Sequence, residues 1–156
     1  MQSSGSYLRT LSITHWGLFF LQVVFLLIVI WIIDPEREDE FDLHFIISDT
    51  IIIVVGFILA YLMPRKTMRI AKCKLGLREK LHEYKKAILA RWCVLLFISL
   101  YSTIAFIMTK EYIFVCSTIF SMAVFLLNKV NAEIIGEQLE LSTDELKVLT
   151  NPDSAI

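Results

Sequence analysis

Cysteine is scarce, and what there is forms no pair. Cys73, Cys93 and Cys116 make no CxxC motif. A four-helix membrane enzyme of disulfide exchange needs cysteine pairs on its oxidising side, so that class is excluded and the three thiols are expected to be reduced packing residues. Catalytic motifs are equally lacking. No GxSxG sequence accompanies the serines and no histidine is placed to act as their base, which removes both the proton acceptor and the oxyanion site that a serine hydrolase requires. Histidine is limited to His15, His44 and His82. His15 and His82 are expected on one side of a membrane and His44 on the other, without the spacing of a metal or haem site. No cofactor and no metal is therefore expected. The most basic stretch lacks the interleaved aromatics or folded module of a nucleic-acid binder, and no nucleic-acid partner is expected either.

What the chain has in excess is apolar sequence. It is 56% hydrophobic over 156 residues, with a mean hydropathy of +0.66, well beyond what a water-soluble domain carries. The first apolar run, 11–33, holds 23 residues without a formal charge, enough to cross about 30 Å of hydrocarbon. It is too long for a cleavable signal and ends in Trp31-Ile32-Ile33 with no small-residue cleavage site, so it is expected to be a retained anchor. Residues 34–42 follow as an acidic loop closed off by Pro35. A second span is expected over 43–63, a third over 87–109 and a fourth over 112–128, the last two joined by a minimal turn at 110–111.

The net charge of −1 hides a strong segregation. Between Arg65 and Lys86 there are nine Lys or Arg residues against two Glu, whereas 34–42 has six acids against one base. Cytoplasmic loops retain the basic residues, so 64–86 is expected inside, 34–42 outside, and both termini (1–10 and 129–156) inside. Leu77, Leu81, Tyr84 and Ile88 recur at helical spacing. The basic loop is therefore expected to be a helical hairpin that extends the second and third spans and reverses near Lys72 to Gly76, where glycine permits the turn. The tail is polar and carries a capping box at Ser142-Thr143-Asp144-Glu145. That predicts one short helix ended by Asn151-Pro152, with a mobile end beyond it. The expected fold is an all-α membrane protein of four transmembrane helices arranged as two hairpins.

Few polar residues fall inside the spans. Asp49 lies about a turn into the second span, where an ionisable group is costly and where Ser48, Thr50, headgroups and water are expected to solvate it. Gly56 and Ala60 share its face and, with Ser117 and Ser121 on the fourth span, form an expected helix-packing seam. Gln22, seven residues from His15 and deep in the first span, calls for an interhelical hydrogen bond. Arg91 is expected to snorkel to cytoplasmic headgroups beside Trp92 as an interfacial anchor. By residue count it lies in the opposite leaflet from Asp49.

At Leu81-His82-Glu83-Tyr84-Lys85-Lys86-Ala87-Ile88-Leu89-Ala90-Arg91-Trp92, and again at Leu139-Glu140-Leu141-Ser142-Thr143-Asp144-Glu145, the chain resembles small four-helix inner-membrane proteins of Bacteroidota-type bacteria. The resemblance implies a bacterial inner-membrane location and carries over no site residue. With the enzyme classes set aside, the expected function is that of a non-enzymatic accessory or scaffold subunit. It would work through helix packing and through contacts of its cytoplasmic hairpin and tail, in contact with membrane lipid and with a membrane-protein partner or further copies of itself. The alternative is a small oligomeric transporter or channel protomer in which Asp49 and Gln22 line a polar path. Small multidrug-type exporters carry an acid in mid-membrane of the first span; Gln22 stands there in this chain.

Overall fold

Long apolar runs leave the backbone few ways to satisfy its own polar groups, and the helix is the local solution. The computed structural model describes residues 3–33, 43–151 and 154; the acidic loop expected at 34–42 lies outside the described residues. Among them are six helices and no strand: α1 Ser4–Ile32, α2 Leu43–Lys72, α3 Leu77–Thr109, α4 Tyr112–Leu127, α5 Ala132–Leu139 and α6 Thr143–Thr150. Three of these, α1, α2 and α3, are long and apolar enough to cross a membrane, and a fourth span results if α4 and α5 count as one broken span. On its own α4 has 16 residues and reaches only roughly 24 Å at about 1.5 Å per residue.

The helices overrun the apolar runs that start them. α1 begins at Ser4, and α2 continues through Pro64 to Lys72. The turn between α2 and α3 occupies 73–76, but no glycine there adopts a left-handed conformation. Gly76 instead caps α3, its carbonyl accepting from Lys80 N–H at 3.0 Å. Among the described residues, those that do take positive φ are Lys110 (56°), between α3 and α4, and Glu140 (52°), at the C-terminus of α5.

The chain divides into two compact units. The first comprises the described residues of Met1–Trp16, Tyr61–Arg91 and Lys129–Ile156. Its core is Tyr7, Leu11, Ala71, Leu81, Tyr84, Ala87, Ile88, Ile135, Leu139 and Leu149. The tail thus contributes two helices to this unit where the sequence pointed to one. α5 was hidden because its short apolar stripe, Ile135 and Leu139 with half-buried Ile134, is diluted by glutamates. α6 starts with the complete capping box: Ser142 Oγ accepts from Glu145 N–H and Glu145 returns the bond to Ser142 N–H. Residue 154 is tied down rather than loose, since Ser4 N–H donates to Ser154 O at 3.0 Å and Ser4 Oγ donates to Asn151 O. The polar extensions thus share one core.

The second unit, the described residues of Gly17–Ala60 and Trp92–Asn128, is built around α3. Of α3's apolar stretch 44% is buried, against 22% for α1 and 17% for α2, so α3 is central and the other two present broad outward faces. Leu26 and Val29 of α1, Ala105 and Phe106 of α3, and Phe114, Val115 and Met122 of α4 form its apolar core. Phe20, Leu21, Leu27, Ile51, Ile58, Phe97, Ile104 and Phe120 point outward and are exposed. Such a surface is a liability in water and is suited to a bilayer.

Candidate functional site

The second unit encloses a set of polar side chains that apolar sequence alone does not explain. Gln22, Asp49, Ser99, Ser102, Thr103, Thr118 and Ser121 are all buried. Asp49 of α2 meets α3 through Ser102, whose Oγ donates to Asp49 Oδ1 at 2.6 Å. The hydroxyls expected to solvate Asp49 are engaged elsewhere. Ser48 Oγ donates to Phe45 O at 2.9 Å and sits 2.8 Å from Tyr101 Oη, while Thr50 Oγ1 donates to Ile46 O at 2.8 Å. A serine or threonine in a helix reaches the preceding turn of its own backbone more readily than its neighbour's carboxyl, so the donor to Asp49 comes from the facing helix.

Close approach of α2 and α3 makes that bond possible. Gly56 and Ala60 are buried on the same face as Asp49, and a Cβ added at Gly56 would stand 2.6 Å from Ile98 Cδ1. Between α3 and α4, Thr103 Oγ1 and Thr118 Oγ1 stand 3.3 Å apart, so that one hydroxyl donates across to the other while the other donates to a carbonyl of its own helix. Of the serines expected in the α4 seam, Ser117 is half-buried and Ser121 fully buried. Thr118, one position along, makes the hydrogen bond.

Two groups in this polar set have no partner among the described residues. Gln22 is 4% exposed, and neither its Oε1 nor its Nε2 is hydrogen-bonded; Ser121 Oγ is likewise buried and unpaired. Counted along their helices, both lie near mid-span. An unpaired buried amide is expensive, so Gln22 is the residue in this unit whose presence packing does not account for.

Arg91 is half-buried. Trp92 departs from the interfacial role expected of it: it is completely buried, packs on Phe125 with ring centroids 6.1 Å apart, and its indole N–H donates to Asn128 O at 3.3 Å. The carbonyl at the C-terminal end of α4 has no continuing helix to bond it, and the buried indole supplies a donor. Trp16 and Trp31, 45% and 87% exposed, are instead the tryptophans that face outward. The cysteines are also corrected. All three are free, and all are exposed rather than packed; Cys93 borders a wholly apolar groove of about 370 Å³ lined by Ile51, Val55, Gly56, Leu59 and Phe97.

In the first unit the polar contacts hold the tail. Lys80 Nζ bonds Glu145 Oε1 at 2.7 Å and Lys72 Nζ bonds Glu140 Oε1 at 2.6 Å. The Lys80 bond, backed by the Ser142 N–H, holds the Glu145 carboxyl below the usual glutamate range. Tyr7 Oη donates to Leu81 O at 2.7 Å, anchoring the start of α1 to α3. His15 is buried and His82 exposed, so the two do not share one environment. Among the described residues no three His, Cys, Asp or Glu side chains cluster to hold a metal. Comparison with protein-family models, with curated proteins and with solved structures finds no match.

Proposed function

We propose that the chain is a non-enzymatic accessory or scaffold subunit of the bacterial inner membrane, with four spans as two hairpins and both termini, the α2–α3 hairpin and the tail on the cytoplasmic side. One observation carries this reading. Three polar segments far apart in sequence fold into one compact unit with its own core. Its surface is suited to recognition: α5 buries Ile135 and Leu139 and turns Glu133 and Glu137 outward. The partner is a further membrane protein or another copy of the chain, with lipid covering the remaining apolar faces.

Intact complexes purified in mild detergent and weighed by native mass spectrometry test this. A defined partner should co-purify at fixed ratio, and Glu133→Lys with Glu137→Lys should remove it while the chain still inserts. A homo-oligomer alone, indifferent to that reversal, refutes the reading. Orientation is checked separately with Cys73, which is exposed in the 73–76 turn. An impermeant maleimide should label it only after the membrane is opened, whereas Lys110→Cys in a Cys73→Ser background should be labelled on intact cells.

A second reading, an oligomeric transporter or channel protomer, draws on the burial of Asp49 and the unpaired amide of Gln22. Its test is ion or solute flux in proteoliposomes, abolished by Asp49→Asn.

A further inference from the structure

The first unit contains a cavity of about 400 Å³ lined by Tyr7 of α1, Lys74 of the turn, and Arg78, Glu79, Leu81, His82, Glu83 and Lys85 of α3. That volume falls within the range of small-ligand sites, about 300–1,000 Å³. Of the lining residues Tyr7 and Leu81 are 6% and 2% exposed, and the Tyr7 phenol is fixed by donating to the Leu81 carbonyl.

Charge on the rim is unbalanced. Glu83 is engaged by Lys86 at 2.8 Å, a residue outside the lining, and Glu79 is answered by Lys74 at 3.9 Å. Arg78 and Lys85 have no acidic partner among the described residues. Each acid is thus already matched by a lysine, and one guanidinium and one ammonium remain beside Tyr7. A guanidinium fork beside a point-charge ammonium is the combination that recognises phosphate oxygens.

We infer that this cavity binds a phosphate-bearing anion, held by Arg78 and Lys85 beside Tyr7. The same chemistry is available from an anionic phospholipid headgroup or from a soluble phosphorylated compound. Position along α3 bears on the source. Lys85 is two residues and Arg78 nine residues before Ala87, the expected membrane boundary, which is roughly 3 and 14 Å along the helix. A headgroup layer is about 5–8 Å deep on each side. Lys85 lies within it and Arg78 beyond it, so a headgroup must extend to reach both, whereas a soluble anion need not.

The test uses the full chain reconstituted in nanodiscs of phosphatidylcholine alone and of phosphatidylcholine with phosphatidylglycerol, with inorganic pyrophosphate as the soluble probe. The pocket variant is Arg78→Gln with Lys85→Gln. The control, Lys66→Gln with Arg69→Gln, removes the same charge from exposed positions of the same basic segment outside the cavity. Hydrogen exchange over 74–85 is the readout, alongside binding. If pyrophosphate protects 74–85 in phosphatidylcholine discs, and the pocket variant alone weakens it at least roughly tenfold, the anion is soluble. Protection that instead requires phosphatidylglycerol, and is lost only in the pocket variant, identifies a headgroup. Equal weakening by both double variants, or no protection by either probe, overturns the inference.

Discussion

Gly56→Ala and Gly17→Ala are the same substitution in the same kind of helix, and the structure gives them opposite signs. At Gly56 the added Cβ would stand 2.6 Å from Ile98 Cδ1 and 2.7 Å from Ile98 Cγ1, where carbon atoms in contact prefer about 3.5–4.0 Å. Ile98 is fully buried. Its Cγ1 moves only if χ1 or the helix moves. Overpacking of this kind costs about 1–3 kcal/mol, opposed by the helical preference of alanine over glycine, about 0.8–1.0 kcal/mol. The net expectation is a loss of about 1 kcal/mol. At Gly17 nothing lies within 4 Å of the new methyl, so only the helical preference acts and the variant gains up to about 1 kcal/mol. Reversible unfolding in mixed micelles of rising dodecyl sulfate fraction should rank Gly17→Ala above the parent and Gly56→Ala below it. Removing the obstruction supplies the control. Ile98→Ala costs about 2–5 kcal/mol by itself, but in that background Gly56→Ala should stabilise, because both clashing atoms are gone. If Gly56→Ala matches Gly17→Ala in the parent, α2 and α3 do not approach as closely as described and the reasoning fails.

Three further predictions rest on single contacts. Ser102→Ala removes the donor to Asp49 and leaves a buried acceptor without it, which should cost about 1–3 kcal/mol in the same titration; no change would mean that another group satisfies the carboxyl. The Glu145 carboxyl is held below its ordinary range by Lys80. Its contribution is therefore complete above the ordinary glutamate pKa of about 4.3 and is lost as pH falls through the lower folded value. The protection factors over 143–150, taken against the intrinsic exchange rate at each pH, should fall in acid. Glu145→Gln should show that lower protection already at neutral pH and have no further acid step, and equal protection at low pH in the parent would contradict this. Lys110, at φ 56°, occupies a conformation that disfavours side chains by about 1–2 kcal/mol; Lys110→Gly should raise unfolding resistance, and a loss would show that the lysine side chain itself holds the turn.

The helical class and the apolar stretches were legible because a lipid solvent writes them as long uncharged runs, and 11–33 needs no tertiary information to be read as helix. The capping box at Ser142 was legible for a similar reason, since all its partners lie within four residues. What was not legible depended on facing helices. Trp92 reads as an interfacial anchor from its position beside Arg91, and only the C-terminal end of α4 reveals that its indole turns inward to Asn128. Asp49 sits between two hydroxyl residues in sequence, yet its donor is Ser102, 53 positions away. Three segments of modest polarity gave no hint of a shared core, because Tyr7, Leu81, Ile135 and Leu149 each look like isolated apolar residues until the chain brings them together. The cavity beside Tyr7 was hidden in the same way: the basic loop was visible as charge, but not which two of its cations would be left without acids.

Gln22 is where the two functional readings make opposite demands on one side chain. Both of its amide atoms are buried and unpaired, and each such group costs about 1–3 kcal/mol by the measure of protein substitutions. Leucine has nearly the same volume and no polar atoms. If the second unit is only a packed anchor, Gln22→Leu relieves that cost and should stabilise the protein by about 1 kcal/mol or more without affecting assembly with a partner. If the unit conducts, the unpaired amide is where a transported polar species finds hydrogen bonds during passage, and the same variant should be more stable but inactive in flux. Stability alone therefore cannot separate the readings, and stability measured together with flux and partner retention can. A destabilised Gln22→Leu fits neither reading, because it would mean that the amide has a hydrogen-bond partner in the folded protein and is part of its packing.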